Sequence, residues 1–264
     1  MRELVLLKLG GSLITDKDKP YTPRLDKLSD LAREVKDALN SNPNLRVVLG
    51  HGSGSFGHVP AKKYGTRDGV HTPAEWRGFA EVYFQASQLN RFVIESLVGA
   101  GLPAISLPPS ASIVSDNRKV IRHNVDVIRR ALEAGLLPVV QGDVVFDISL
   151  GGTILSTEDV FAFLTGELSP SRILLAGIEA GVWENFPERT RLVSRIRSQG
   201  GEGRAGIGES ASTDVTGGMK AKVEEMLALV QKNEGLSAQI FSAEENGFLT
   251  RALQGENVGT LLTA

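Results

Sequence analysis

The chain has 264 residues, 41% of them hydrophobic and 23% charged, with a formal net charge of −2, enough for one large domain or two small ones with a sizeable core. That near balance of charge leaves no global basic field for nucleic acid or an acidic membrane surface. With no cysteine, disulfides, thiolate metal sites and a cysteine nucleophile are excluded, which fits a reducing compartment.

At the N-terminus, Glu3 and Lys8 bracket an apolar run too short for the core of a signal peptide. No later segment approaches a membrane span, so a soluble, cytoplasmic chain is expected. Leu4–Leu9 reads as a buried strand that ends in Gly10-Gly11-Ser12. Leu25, Leu28, Leu31, Val35 and Leu39 then recur at helical spacing, ahead of a second strand at Arg46–Leu49. A glycine loop follows, and a long helix is expected from Thr72. There Thr72-Pro73-Ala74-Glu75 forms a capping box with proline at the first helical position. Further strands are expected at Pro103–Ser106, Leu136–Val140, Ile173–Leu175, Ala238–Phe241 and Val258–Leu262. Met219, Val223, Met226, Leu227 and Val230 share one face of a late helix, and Ser198–Thr213, rich in glycine, serine and charge, predicts a mobile loop. The alternation predicts an α/β three-layer sandwich with a mostly parallel central sheet. In such sheets ligands bind beyond the carboxyl ends of the strands.

Four groups of residues stand just past strand ends. Lys8-Leu9-Gly10-Gly11-Ser12, with Lys17 close behind, combines exposed amides with cationic charge, and an ammonium near the end of an apolar strand is costly without a partner. His51-Gly52-Ser53-Gly54-Ser55-Phe56-Gly57-His58 is a donor-rich nest suited to phosphate. It is neither a Walker A loop nor a dinucleotide fingerprint. His58 can donate a charge-assisted hydrogen bond to phosphate, whereas His51 is expected to support the loop from behind. His71 and His123 read as structural or solvated. Gly142-Asp143-Val144 and Ser156-Thr157-Glu158-Asp159 put acids near the same end, where they could hold lysines or Mg2+, although Asp159 also suits an N-terminal cap. Finally, Asp214-Val215-Thr216-Gly217-Gly218-Met219-Lys220-Ala221-Lys222 places a Thr216 cap and two lysines at the positive end of a helix, which points to a bound anion.

In this order the four pieces resemble the amino acid kinase superfamily over essentially the whole chain. Gly54-Ser55-Phe56-Gly57-His58, Ile14-Thr15-Asp16-Lys17 and Asp214–Met219 resemble the isopentenyl phosphate kinases within it. The resemblance implies one amino acid kinase domain over residues 1–264, with an acceptor part of roughly 1–165 and a nucleotide part of roughly 166–264. It implies ATP and Mg2+ as cofactors, isopentenyl phosphate as the small-molecule partner, no nucleic acid or membrane partner, and a homodimer. By resemblance, Lys8 and Lys17 contact the transferred phosphate, and Lys222, with Lys220 close enough to be the contact instead, binds ATP phosphates together with Gly10, Gly11, Ser12 and Gly218. Asp159 organises the lysines, His58 holds the acceptor phosphate, and amides at Ser53 and Gly54 separate acceptor from nucleotide. An apolar wall for the prenyl tail is expected on the helix of Trp76, Phe79, Val82, Tyr83 and Phe84. One departure stands out: relatives carry Thr-Asp-Val-Asp-Gly-Val-Tyr where this chain has Gly177-Ile178-Glu179-Ala180-Gly181-Val182-Trp183. The alternatives are a kinase of another small phosphate or phosphonate, such as fosfomycin, and a non-catalytic sensor of the same fold.

Overall fold

The computed structural model describes residues 3–185, 187–198 and 218–264. The chain opens with β1 (Glu3–Leu9), the short helix α1 (Gly11–Ile14), α2 (Leu25–Ser41), β2 (Leu45–His51), α3 (Gly54–Tyr64) and α4 (Pro73–Gly99). There follow β3 (Ala104–Ser106), β4 (Ile113–Asp116), β5 (Lys119–His123), α5 (Val125–Glu133), β6 (Leu137–Gln141), β7 (Asp143–Asp147), β8 (Gly151–Leu155) and α6 (Thr157–Leu168). The remainder comprises β9 (Arg172–Gly177), β10 (Val182–Trp183), β11 (Leu192–Val193), β12 (Arg195–Arg197), α7 (Gly218–Lys232), β13 (Ser237–Ser242), α8 (Phe248–Leu253) and β14 (Thr260–Thr263).

Eight strands form the central sheet in the order β12-β14-β13-β9-β1-β2-β6-β3. It is parallel except where β13 meets β14. The period of two along β1 decides the layering. Val5, Leu7 and Leu9 enter one core, with α2, α4 and α8. Leu6 enters the other, with α5, α6 and α7. Helices therefore cover both faces, and β1 is buried on both sides, as a central parallel strand must be. The expected capping box is present: Thr72 Oγ1 accepts from the Glu75 amide and the Glu75 carboxylate accepts from the Thr72 amide.

Two features depart from the expected elements. The stretch Gly54–Tyr64 is a helix, so the serine-glycine run is the entry to α3 instead of an open nest. A second, four-stranded sheet in the order β5-β4-β7-β8 was not foreseen. Its first hairpin turns on Asn117 and Arg118, at φ 46° and 65°, positions where glycine is the usual signal. Asp147 secures that turn by accepting from the amides of Asn117, Arg118, Ser149 and Leu150. The loop expectation for Ser198–Thr213, and the Asp214–Gly217 motif with its Thr216 cap, fall outside the described residues but for Ser198. Among the described residues no helix is long and apolar enough to cross a membrane.

Candidate active site

The floor of the site is made where β1 and β2 end side by side. Gly10 donates its amide to the Ala176 carbonyl of β9 at 2.8 Å, and Gly52 donates to Leu9 at 3.0 Å. The two glycine loops then stack backbone on backbone: a Cβ on Gly11 would lie 2.5 Å from the Gly54 nitrogen, and one on Gly52 would lie 2.8 Å from the Gly11 nitrogen. Gly54 also takes φ +48°, a left-handed conformation that glycine adopts without strain. Thr15 closes the stack: its hydroxyl donates to Gly11 and accepts from the Ser55 amide. Behind it lies His51, fully buried, with Nε2 3.0 Å from Asn90 Oδ1 and Nδ1 3.1 Å from the Gly52 carbonyl. Burial pushes its pKa below the ordinary imidazole value. As expected, it is a support and not a ligand.

Lys8 projects from β1 into this floor and ion-pairs with Glu158 of α6, the two side chains being 12% and 8% exposed. Burial alone would push the Glu158 carboxyl up. The ammonium of Lys8, with Lys222 beyond it, holds it below the usual carboxylate value instead. The lysine partner therefore stands one residue before the one expected. Asp159 closes a capping box with Ser156, accepting from the Ser156 amide and hydroxyl at 2.7 Å. The physical reason is helix phase: the third residue of the first turn folds back on the cap, while the second points across to β1. The pair also answers why an ammonium tolerates the end of an apolar strand.

Around this floor stands an outer ring. Lys17 is exposed on the loop after α1, whose ends are joined by the Thr15–Pro23 bridge and by the Asp16 amide donating to Thr22. His58 sits in the second turn of α3. Its side chain reaches solvent, and partial desolvation, then the like charges of Lys8 and Arg67, lower its pKa from the ordinary value. Arg67 was not singled out from the sequence, since no motif surrounds it. Its backbone carbonyl is pinned by the hydroxyl of buried Thr153 at 2.7 Å. On α7, Lys222 lies near enough to Glu158 to lower its pKa, whereas Lys220 pairs with Glu224 on its own helix. Gly218 opens α7 as an exposed residue.

Asp143 does not join the lysines. It is 1% exposed and accepts from the Val144 amide at 2.9 Å, with Ser110 and Gln141 as its other partners. Burial pushes its carboxyl up to about 6. Past β9, Glu179 accepts from Trp183 Nε1 and pairs with Arg189, so the residue beside the departure at Ala180 faces the β10–β11 hairpin. Of the aromatic wall, Val82 is buried, while Tyr83 and Phe84 are 44% and 57% exposed. Trp76 and Phe79 instead cluster with Phe146 of β7, at centroid distances of 5.2 to 5.9 Å.

The amino acid kinase family profile matches residues 3–242. Among curated relatives, isopentenyl phosphate kinase of Methanothermobacter thermautotrophicus is 34% identical over 98% of this chain and 99% of its own length. That of Methanocaldococcus jannaschii is 33% identical over 97% of each. A solved isopentenyl phosphate kinase structure superposes with a TM-score of 0.83 at 31% identity, covering 99% of this chain and all of that one.

Proposed function

Because the chain belongs to the amino acid kinase family, and within it to the isopentenyl phosphate kinases, we propose that it transfers the γ-phosphoryl group of ATP to isopentenyl phosphate. The products are ADP and isopentenyl diphosphate, a building block of isoprenoid synthesis. The observation that carries this reading is the buried Lys8–Glu158 pair beneath two glycine loops in backbone contact, with His58 and Arg67 facing it from α3 and the segment beyond.

The chemistry asks for little else. An oxygen of the acceptor phosphate attacks the γ-phosphorus, and the bond to the β-phosphate oxygen breaks as ADP leaves. The acceptor oxygen is already anionic near neutral pH, so no general base is required, and catalysis is positioning plus charge stabilisation. Lys8, fixed by Glu158, faces the transferred group, with Lys17 reaching in from its loop. Lys222 holds ATP phosphates from α7, with the loop of Gly10, Gly11 and Ser12 and the start of α7 at Gly218 as backbone contacts. The amides at Ser53 and Gly54 lie between the two substrates. His58 donates a hydrogen bond to the acceptor phosphate, whose negative charge favours the charge-assisted form of that bond. The prenyl tail rests on Trp76, Phe79 and Phe146, of which Phe146 is 53% exposed.

Among the described residues no group of three or more histidines or acids is arranged to hold a cation. Mg2+ would come with ATP as its complex, since this ion sheds water reluctantly and is commonly held together with substrate phosphates. When bound, it neutralises charge on the nucleotide phosphates. The acceptor part spans roughly residues 1–165 and the nucleotide part roughly 166–264. The test is incubation with ATP, Mg2+ and isopentenyl phosphate, with product mass as the readout. Formation of isopentenyl diphosphate is expected; unchanged isopentenyl phosphate with nucleotide binding intact would overturn the reading.

A further inference from the structure

Lys17 stands on an exposed loop, yet both limbs of that loop are tied down. The neck is closed by the Thr15–Pro23 bridge and by the Asp16 amide donating to Thr22 at 3.0 Å. On the rising limb, Thr15 bonds Gly11 and Ser55 of the two glycine loops. The falling limb hangs on Arg24. Its amide donates to the Ile14 carbonyl at 2.9 Å and its Nη1 to the Leu13 carbonyl at 3.0 Å, two acceptors that α1 leaves unpaired where it ends. The same guanidinium forks onto both carboxylate oxygens of Glu244, at 2.6 and 2.8 Å.

Glu244 is itself anchored. It stands two residues past β13, next to fully buried Ala243, whose amide donates to Gly177 of β9 at 2.9 Å. The Glu244 amide donates to Ser242 Oγ at 3.2 Å, and its carbonyl accepts from Lys27 Nζ at 2.7 Å. One residue before Gly177, Ala176 takes the amide of Gly10. The fork thus ties the Lys17 loop to the strand ends that carry the floor. A half-exposed ion pair of ordinary geometry contributes little to stability. This one is bidentate, joins positions 220 apart and has further hydrogen bonds on both partners, so what it supplies is geometric definition.

We propose that the Arg24–Glu244 fork is a positioning device for Lys17, holding the loop so that the ammonium meets the transferred phosphoryl group without a search over loop conformations. This deepens the reading of the cleft as a phosphoryl-transfer site and rests on it. A lysine on a flexible four-carbon stem already carries much rotamer freedom. If the loop beneath it also moved, ordering both would fall on the transition state and lower kcat. Arg24 and Glu244 act through Lys17 and not on substrate.

The experiment combines Glu244→Ala and Lys17→Ala, singly and together, with kcat and KM for ATP at saturating isopentenyl phosphate as the readout. Hydrogen exchange of residues 15–24, without substrate, accompanies it. Glu244→Ala is expected to lower kcat about tenfold with KM for ATP within about twofold of wild type. Glu244→Gln, which keeps an acceptor for one arm of the fork, falls between. On top of Lys17→Ala, Glu244→Ala changes kcat by less than about twofold, since residues that act as a unit are not additive. Exchange at the Asp16 and Arg24 amides quickens in Glu244→Ala, while that of β1 and β9 stays as in wild type. A full tenfold loss in the Lys17→Ala background would mean that the fork supports the fold at large, and would overturn the proposal. So would wild-type kcat in Glu244→Ala or in Lys17→Ala. Should Glu244→Ala not fold, Glu244→Gln and Arg24→Lys carry the same comparison. A wild-type protein that leaves isopentenyl phosphate untouched refutes the acceptor reading, and loop exchange then decides alone: quicker exchange in the variant supports the fork's role, and unchanged exchange overturns it.

Discussion

The floor of the site and the ring around it are built on opposite terms. Floor groups come from strand ends and the first turn of α6, are buried, and are partnered before any substrate arrives: Lys8 with Glu158, Gly10 with Ala176, Thr15 with Gly11 and Ser55. Ring groups come from loops and helix flanks. Lys17 and His58 are exposed, and Lys222 is half-buried. The difference teaches where a phosphoryl-transfer site keeps its geometry and where it keeps its adaptability. Preorganised charge belongs on the most rigid elements, and groups that change protonation or position on binding belong where water still reaches them.

The comparison breaks most readily at Glu158. Glu158→Gln leaves the Lys8 ammonium buried without its counter-charge, a loss of about 3–5 kcal/mol in stability. It also releases Lys8 from its place, for which about a hundredfold loss in kcat is expected. Asp159→Asn removes one arm of a cap, costing about 1 kcal/mol, with kcat within a few-fold of wild type. Denaturant titration and steady-state kinetics on the two variants check both statements. If Asp159→Asn proved the more damaging, Asp159 and not Glu158 would organise the lysines.

Gly11→Ala probes the same floor through sterics. Its Cβ would sit 2.5 Å from the Gly54 nitrogen, and neither loop is a flexible side chain that can swing away. A loss of about 1–3 kcal/mol is expected, from overpacking, together with weaker binding of both substrates. Thermal unfolding and KM values measure it, and wild-type values in both would show that the loops are not held in contact.

Among ring residues, His58→Ala is expected to fold as wild type does and to lose about 1.5–3 kcal/mol of interaction with the acceptor phosphate, the worth of a charge-assisted hydrogen bond. KM for ATP should be unchanged. Near-normal kcat/KM for isopentenyl phosphate in a folded variant would remove His58 from the site.

Asp143 gives the smallest effect on turnover and separates burial from catalysis. Its carboxyl stands at about 6 in the folded protein against an ordinary aspartate value of 3.8. Folding therefore favours its protonated form, and stability declines as pH rises from about 4 through 6. The full difference is about 3 kcal/mol, the carboxylate's hydrogen bonds being already set against burial in that value. Asp143→Asn should raise Tm at pH 8 and change it little at pH 4, with turnover unaltered. Equal Tm values for variant and wild type at pH 8 would contradict the assignment.

Much of the floor could be read from the residues alone, because each feature has a local cause. Apolar runs of strand length, Gly10-Gly11 and Gly52–Gly54 at strand ends, and the Thr72–Glu75 box each specify structure within a few positions. What escaped depends on residues distant in sequence or on phase within a turn. Glu158 and Asp159 are adjacent acids, and only the packing of α6 on β1 decides which meets Lys8. Arg67 stands in no motif, and nothing near it in the sequence announces that it lies near His58. The second sheet was missed because its first hairpin turns on Asn117-Arg118, without the glycine that marks such turns, and because Asp147 secures it through contacts across thirty residues. Trp76 and Phe79 were read as one wall with Tyr83 and Phe84, since the helix alone does not show that Phe146 gathers only the first two.

The central claim is that this cleft phosphorylates a phosphate attached to a short apolar tail. It is tested most directly by kcat/KM for three acceptors on one preparation at saturating ATP and Mg2+: isopentenyl phosphate, the unphosphorylated alcohol isopentenol, and fosfomycin. Isopentenyl phosphate is expected to exceed fosfomycin by at least about a hundredfold, a tail-and-phosphate discrimination of nearly 3 kcal/mol, with no product from isopentenol. Turnover of isopentenol, or a preference for fosfomycin, would contradict it.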